Sequence, residues 1–204
     1  MLFVEQYLAF NYLTKSIFKL VIFNLPIVVT MMMNRKSFAK TIGFKNSKLP
    51  KWIYILMGAA YVGIIILFFV FQDQLNTDTI RSNLMNKEKL TKENCLLVFS
   101  YIIIVNSFLE ESFFRGYTYN TFATVFKKPV AMVLSGVLFA IYHIGIVSNW
   151  FNPLILVLCI SGLSAVGMAL QYISLYFGTI KASWLIHACA NLAINTIGTI
   201  IMFR

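Results

Sequence analysis

From Trp52 to Phe71 the chain runs without a single charged residue. As a helix rising 1.5 Å per residue, a stretch of this length crosses the ~30 Å hydrocarbon core of a bilayer. It has an aromatic residue at each end, as membrane interfaces favour. Comparable runs recur along the sequence, and 59% of the 204 residues are hydrophobic while only 12% are charged. That is about half the charged fraction of a soluble domain. Hydrocarbon offers no partner for backbone N–H and C=O groups, so a spanning segment must satisfy them itself or close into a barrel. These runs far exceed the roughly ten alternating residues of a barrel strand. The expected fold is therefore all-α: a polytopic helical membrane protein with about six transmembrane helices at ~20 residues each.

The charges set the topology. The spans are expected at Ile17–Met33, Trp52–Phe71, Asn94 to about Tyr119, Val130–Val147, Asn152 to about Phe177 and Ala182–Phe203. Lys15 and Lys19 stand at the start of the first, where long stems are expected to snorkel towards water. Between Asn34 and Lys51 lie Arg35, Lys36, Lys40, Lys45, Lys48 and Lys51 with no acid, which predicts a cytoplasmic loop. Lys127, Lys128 and Lys181 mark two further inner ends. The neutral linker 72–93 is expected outside, with a short surface helix around Ile80–Leu90, and Ser148-Asn149-Trp150 forms a second outer turn. The chain is thus expected in the cell membrane with its N-terminus outside. It divides into an N-terminal two-helix region, 1–93, and a helical core, 94–204. The net charge of +10 follows from these loops, so anionic lipid headgroups are the expected partners and nucleic acid is not. Cys95, Cys159 and Cys189 lack metal-ligand spacing and are expected as small buried side chains. Glu5, ahead of the first apolar stretch, argues against a cleavable signal peptide.

Within this apolar background the pair Glu110-Glu111 needs a reason, because a lone charge at bilayer depth costs a few kcal/mol or more. The two histidines, His143 and His187, lie in separate later spans. Glu111 and Arg115 are four apart and can pair on one helix face. Glu110 is turned about 100° from them and is left to face elsewhere. His187 shares a face with Asn191, and Phe139 with His143. Each feature has a bland reading: a membrane histidine often only bonds a neighbouring helix, and a Glu–Arg pair can be a structural lock. No such demand explains Glu110, and a carboxylate in a restricted cavity is what a general base looks like.

These residues resemble the CAAX-prenyl-protease-like and bacteriocin-processing (CPBP, or Abi) intramembrane proteases. The first motif of that family, Glu-Glu-x-x-x-Arg, appears as Glu110-Glu111-Ser112-Phe113-Phe114-Arg115, followed by Gly116. Phe-x-x-x-His appears as Phe139-Ala140-Ile141-Tyr142-His143, and His-x-x-x-Asn as His187-Ala188-Cys189-Ala190-Asn191. The resemblance covers about residues 94–200 and implies a CAAX-protease-like core in the C-terminal half. It also implies hydrolysis of a peptide bond in a membrane-embedded or lipid-modified substrate, as in processing of bacteriocins or signal peptides, or self-immunity. In that family Glu110 and His143 would hold and deprotonate a water, and His187 with Asn191 would stabilise the oxyanion. Glu111 and Arg115 would shape the site, with Phe139 packing it.

Two matters stay open at this level. The family is commonly called metalloprotease, and Glu110, His143 and His187 are candidate ligands for a divalent metal such as Zn. Against this, His-Glu-x-x-His is absent and Asn is a poor zinc ligand, so metal-independent, glutamate-driven chemistry is slightly preferred. Depth is the second matter: straight spans with these boundaries leave Glu110 and His143 about 10 Å apart along the membrane normal. The competing functions are acyl transfer to a membrane lipoprotein through the same groups, and a non-enzymatic scaffold or immunity protein. An aspartyl mechanism is excluded because the only aspartates, Asp73 and Asp78, lie in the external linker. A transporter is disfavoured by the lack of an inverted repeat.

Overall fold

The computed structural model describes residues 12–148 and 150–203, which places Glu5, Asn149 and the N-terminus itself outside the described residues. The described residues are mostly helical, and among them the only extended pairing is an isolated bridge between Leu75 and Phe151. We number the helices α1 (Tyr12–Asn34), α2 (Phe38–Ile42), α3 (Ile53–Phe71), α4 (Thr77–Ser82), α5 (Cys95–Val125), α6 (Lys128–Val147), α7 (Pro153–Phe177) and α8 (Ile180–Phe203). Six of these, all but α2 and α4, are long and apolar enough to cross a membrane. Large apolar side chains such as Met33, Ile55, Leu96 and Leu154 are 70% or more exposed on the outside of the bundle. Such a surface suits lipid, not water. The protein is a multi-pass membrane protein.

Local chemistry fixes the ends. α7 begins with Asn152, whose Oδ1 accepts the Ile155 N–H at 2.9 Å, followed by Pro153 in the first turn. Gly178 ends it in the left-handed conformation at φ 63°. The expected surface helix forms as α4, with Asn76 capping Thr79, and continues through a wide π turn over Asn83–Lys87. The loops gather at two ends. Thr179 Oγ1 donates to Lys45 O at 3.0 Å, and Ile180 N–H donates to Gly43 O, tying the α7–α8 turn to the basic loop. At the opposite end Asn76 N–H donates to Trp150 O.

Within hydrocarbon, helices associate through packing and interhelical hydrogen bonds. α6 and α7 approach at Gly136 and Gly167: a Cβ on Gly167 would lie 2.9 Å from the Gly136 Cα. Gly167 thus lets α7 come close to α6, whereas a Cβ on Gly162 would meet nothing within 4 Å. Phe23 of α1 packs with Leu109, Phe114, Phe139 and Tyr142, and Ile53 of α3 with Leu170, Ala182 and Ile186. The three cysteines are only partly buried.

α5 differs most from expectation. It runs on to Val125, past the expected end near Tyr119, and only Phe126 and Lys127 separate it from α6. It also contains two π-helical stretches, Ile102–Asn106 and Ser112–Thr118, which bracket the Glu pair. Such wide turns are uncommon and leave backbone carbonyls open to outside donors. Here Asn195 reaches Phe99 O, Asn191 reaches Ile102 O and Trp184 Nε1 reaches Ile104 O, all from α8. Ser135 of α6 donates to Phe114 O at 2.8 Å.

Candidate active site

The hairpin geometry removes the depth discrepancy. Glu110 lies fifteen residues before the end of α5, and His143 fifteen residues after the start of α6. Antiparallel helices joined by so short a turn bring equal counts to equal height. Accordingly His143 Nε2 stands 3.9 Å from Glu110 Oε2, and His187 Nε2 of α8 stands 3.5 Å from the same oxygen. Glu110 and Glu111 are 2% and 0% exposed, so both carboxylates sit in the protein interior, away from lipid.

Each imidazole is oriented through its other nitrogen. His143 Nδ1 bonds Phe139 O at 2.7 Å, and His187 Nδ1 bonds Glu111 Oε1 at 2.9 Å. A carbonyl and a carboxylate can only accept, so both bonds assign a proton to Nδ1. Both Nε2 atoms are thereby turned towards Glu110 Oε2. Among the described residues that oxygen accepts no hydrogen bond.

The other oxygen of Glu110 is crowded with donors. Its Oε1 takes Lys19 Nζ at 2.5 Å, Asn106 Nδ2 at 2.9 Å and Tyr142 OH at 3.4 Å. Lys19 Nζ also reaches Asn106 Oδ1 at 2.5 Å and lies over the Tyr142 ring, 4.7 Å from its centroid. This corrects the expectation that Lys15 and Lys19 snorkel. Both turn inward, 4% and 6% exposed, with Lys15 paired to Glu88 and Lys19 to Glu110. A buried carboxylate gains more from a cation at contact than the lysine gains from reaching water.

The supporting groups lie where their spacing places them. Arg115 Nε is 3.5 Å from Glu111 Oε1, an ion pair without a hydrogen bond, and the guanidinium stacks on Phe139 at 4.1 Å from its centroid. Phe139 also contacts both imidazoles, at 4.5 and 5.7 Å between centroids. Asn191 donates to Ile102 O at 3.3 Å, one turn along α8 from His187. Two carboxylates and two cations make the formal charges of the cluster cancel.

Sequence reasoning missed Lys19, Asn106 and Tyr142. Asn106 precedes Glu110 by one turn, and Tyr142 stands inside the Phe139–His143 motif, so both were within reach of spacing arguments. Lys15 and Lys19 are also four apart, a two-cation stripe on one face of an apolar helix.

Glu110, His143 and His187 converge, with both Nε2 atoms within 3.9 Å of one carboxylate oxygen. Among the described residues no group of three His, Cys, Asp or Glu side chains is arranged to hold an ion. A dication at Oε2 would also stand beside the Lys19 ammonium, which already neutralises Glu110. A metal of the kind that the name metalloprotease implies would meet a carboxylate whose charge Lys19 already balances.

The family model described as type II CAAX prenyl endopeptidase Rce1-like matches residues 92–193, half of the chain, from just before α5 to two residues past Asn191. The chain belongs to the Rce1-like CAAX protease family. No curated protein and no solved structure matches it. Membership supports proteolysis, hence a hydrolase, and lends nothing to acyl transfer. All three motifs of this Rce1-like chain fall within the matched segment, whereas Lys19 lies outside it.

Proposed function

We propose that this protein is an intramembrane endopeptidase that hydrolyses a peptide bond in a membrane-associated or lipid-modified peptide without a bound metal. The observation that carries the reading is the bare Oε2 of Glu110, faced by two oriented imidazole Nε2 atoms at 3.5 and 3.9 Å. A water seated there donates one hydrogen to Oε2 and one to His143 Nε2, which leaves its lone pair for the scissile carbonyl. Glu110 takes the proton as attack proceeds, a contribution of about 10²–10⁴-fold for a positioned base. The oxyanion is met by the second amide hydrogen of Asn191, and His187, which Glu111 holds with its unprotonated Nε2 towards Oε2, accepts a hydrogen bond from Glu110 once that carboxyl is protonated. Arg115 keeps Glu111 paired, and Phe139 packs Arg115 and both imidazoles. Proton transfer from Glu110 to the leaving amine then releases the product. The protein acts in the cell membrane with its N-terminus outside, and its basic inner loops lie against anionic headgroups.

The test is cleavage of an internally quenched peptide with a farnesylated cysteine near its C-terminus, by purified protein in detergent with and without a chelator. Glu110→Gln is expected to lower kcat by about 10²-fold or more, and the chelator to change nothing. Equal turnover by Glu110→Gln and wild-type protein overturns the reading.

A further inference from the structure

Resting on that reading, we infer that Lys19 is a positioning residue for the hydrolytic carboxylate. Through it, α1 completes a site whose motifs all lie on α5, α6 and α8. The geometry is asymmetric. Glu110 Oε1 accepts from Lys19, Asn106 and Tyr142, whereas Oε2 accepts from none of the described residues and faces both imidazoles. A carboxylate rotates freely about its last torsion, and without such a division either oxygen could face the histidines. Of the three donors only Lys19 carries charge, and a charge-assisted bond is about twice as strong as a neutral one. Lys19 is itself held, by Asn106 Oδ1 at 2.5 Å and by the Tyr142 ring at 4.7 Å. Phe23, one turn further along α1, stacks on Phe113 at 4.3 Å and meets Phe114 and Tyr142 edge-on, which sets the position of α1 against α5 and α6.

The role differs from simple neutralisation. A cation bonded across both oxygens would block the face that the imidazoles need. Lys19 binds the far oxygen alone, so it cancels the charge and leaves the reactive edge open. Arg115 cannot substitute for it, because its guanidinium is committed to Glu111 and the Phe139 ring.

The test compares purified wild-type protein with Lys19→Met, Lys19→Arg, Glu110→Gln and the double variant Lys19→Met/Glu110→Gln. Cleavage of the farnesylated peptide and thermal unfolding are both measured in detergent. Lys19→Met is expected to lose about 10–100-fold in kcat with KM within about twofold, as a displaced but present base should. Lys19→Arg is expected to recover part of kcat. Lys19→Met is also expected to unfold at a lower temperature than wild type, while the double variant recovers, because removing both members of a buried pair leaves no unpaired charge. If Lys19→Met is too unstable to assay, recovery of a folded double variant supports the pairing. Wild-type kcat and unfolding temperature in Lys19→Met overturn the inference, and so does a double variant as unstable as the single one. If wild-type protein does not cleave the peptide, it is the proposed function that falls, and the unfolding comparison still decides whether Lys19 and Glu110 form a buried pair.

Discussion

Asn191 directs one amide hydrogen at Ile102 O, 3.3 Å away on α5. An amide nitrogen carries two hydrogens, so this bond fixes the side chain while the second remains for a developing oxyanion. Asn191→Ala is expected to lower kcat by about 10²–10³-fold with little change in KM, since the bond matters only once negative charge forms. Steady-state kinetics on the farnesylated peptide checks this, and a loss confined to KM would assign Asn191 to substrate binding instead. The residues of the three motifs could be found in the sequence because each pair sits four apart, which helix geometry turns into a shared face. Lys19 is also four from Lys15, but that spacing does not say which way the pair faces. On a membrane helix a lysine near the end has two outlets, outward to headgroups or inward to an acid. The inward one exists only when another helix brings a carboxylate to the same height.

At the scale of elements, α5 organises the molecule and was the least legible part of it. Its last turns, Tyr119–Val125, include Asn120, Thr121 and Thr124, polar enough to read as loop. Hydroxyls there bond their own helix instead, Thr121 to Tyr117 O and Thr124 to Thr121 O. This extra length is what aligns Glu110 with His143. The π stretches are equally invisible in composition, because they depend on donors that α6 and α8 supply. Gly116 sits in the second stretch, where the α5 backbone meets α2: a Cβ there would lie 2.7 Å from Ile42 O and 2.8 Å from its Cα. Those are backbone atoms and cannot rotate aside. Gly116→Ala is therefore expected to destabilise by about 1–3 kcal/mol, read as a lower unfolding temperature in detergent. Gly58→Ala, with nothing within 4 Å of its Cβ, serves as the tolerant comparison.

For the whole molecule, the even number of spans and the two loop clusters make a definite prediction of sidedness. Single cysteines placed at Lys48 and Lys127 in a cysteine-free background should react with a membrane-impermeant maleimide only after the membrane is opened. One placed at Asp78 should react in intact cells. The reverse pattern would invert the orientation drawn from the basic loops. The all-helical, six-span plan was legible because lipid leaves so few alternatives for long apolar runs. The way the first helix joins the rest was not, since its lipid-facing side and its buried side are both largely apolar and only Lys15 and Lys19 carry charge. That junction has a consequence for handling the protein. Phe23 and Lys19 hold α1 against α5 through one aromatic cluster and one ion pair, so a harsh detergent that pries α1 loose would strand Glu110 in oil. Activity should then vanish while most of the bundle is still standing, and preparations that look intact by helicity would already be disarmed.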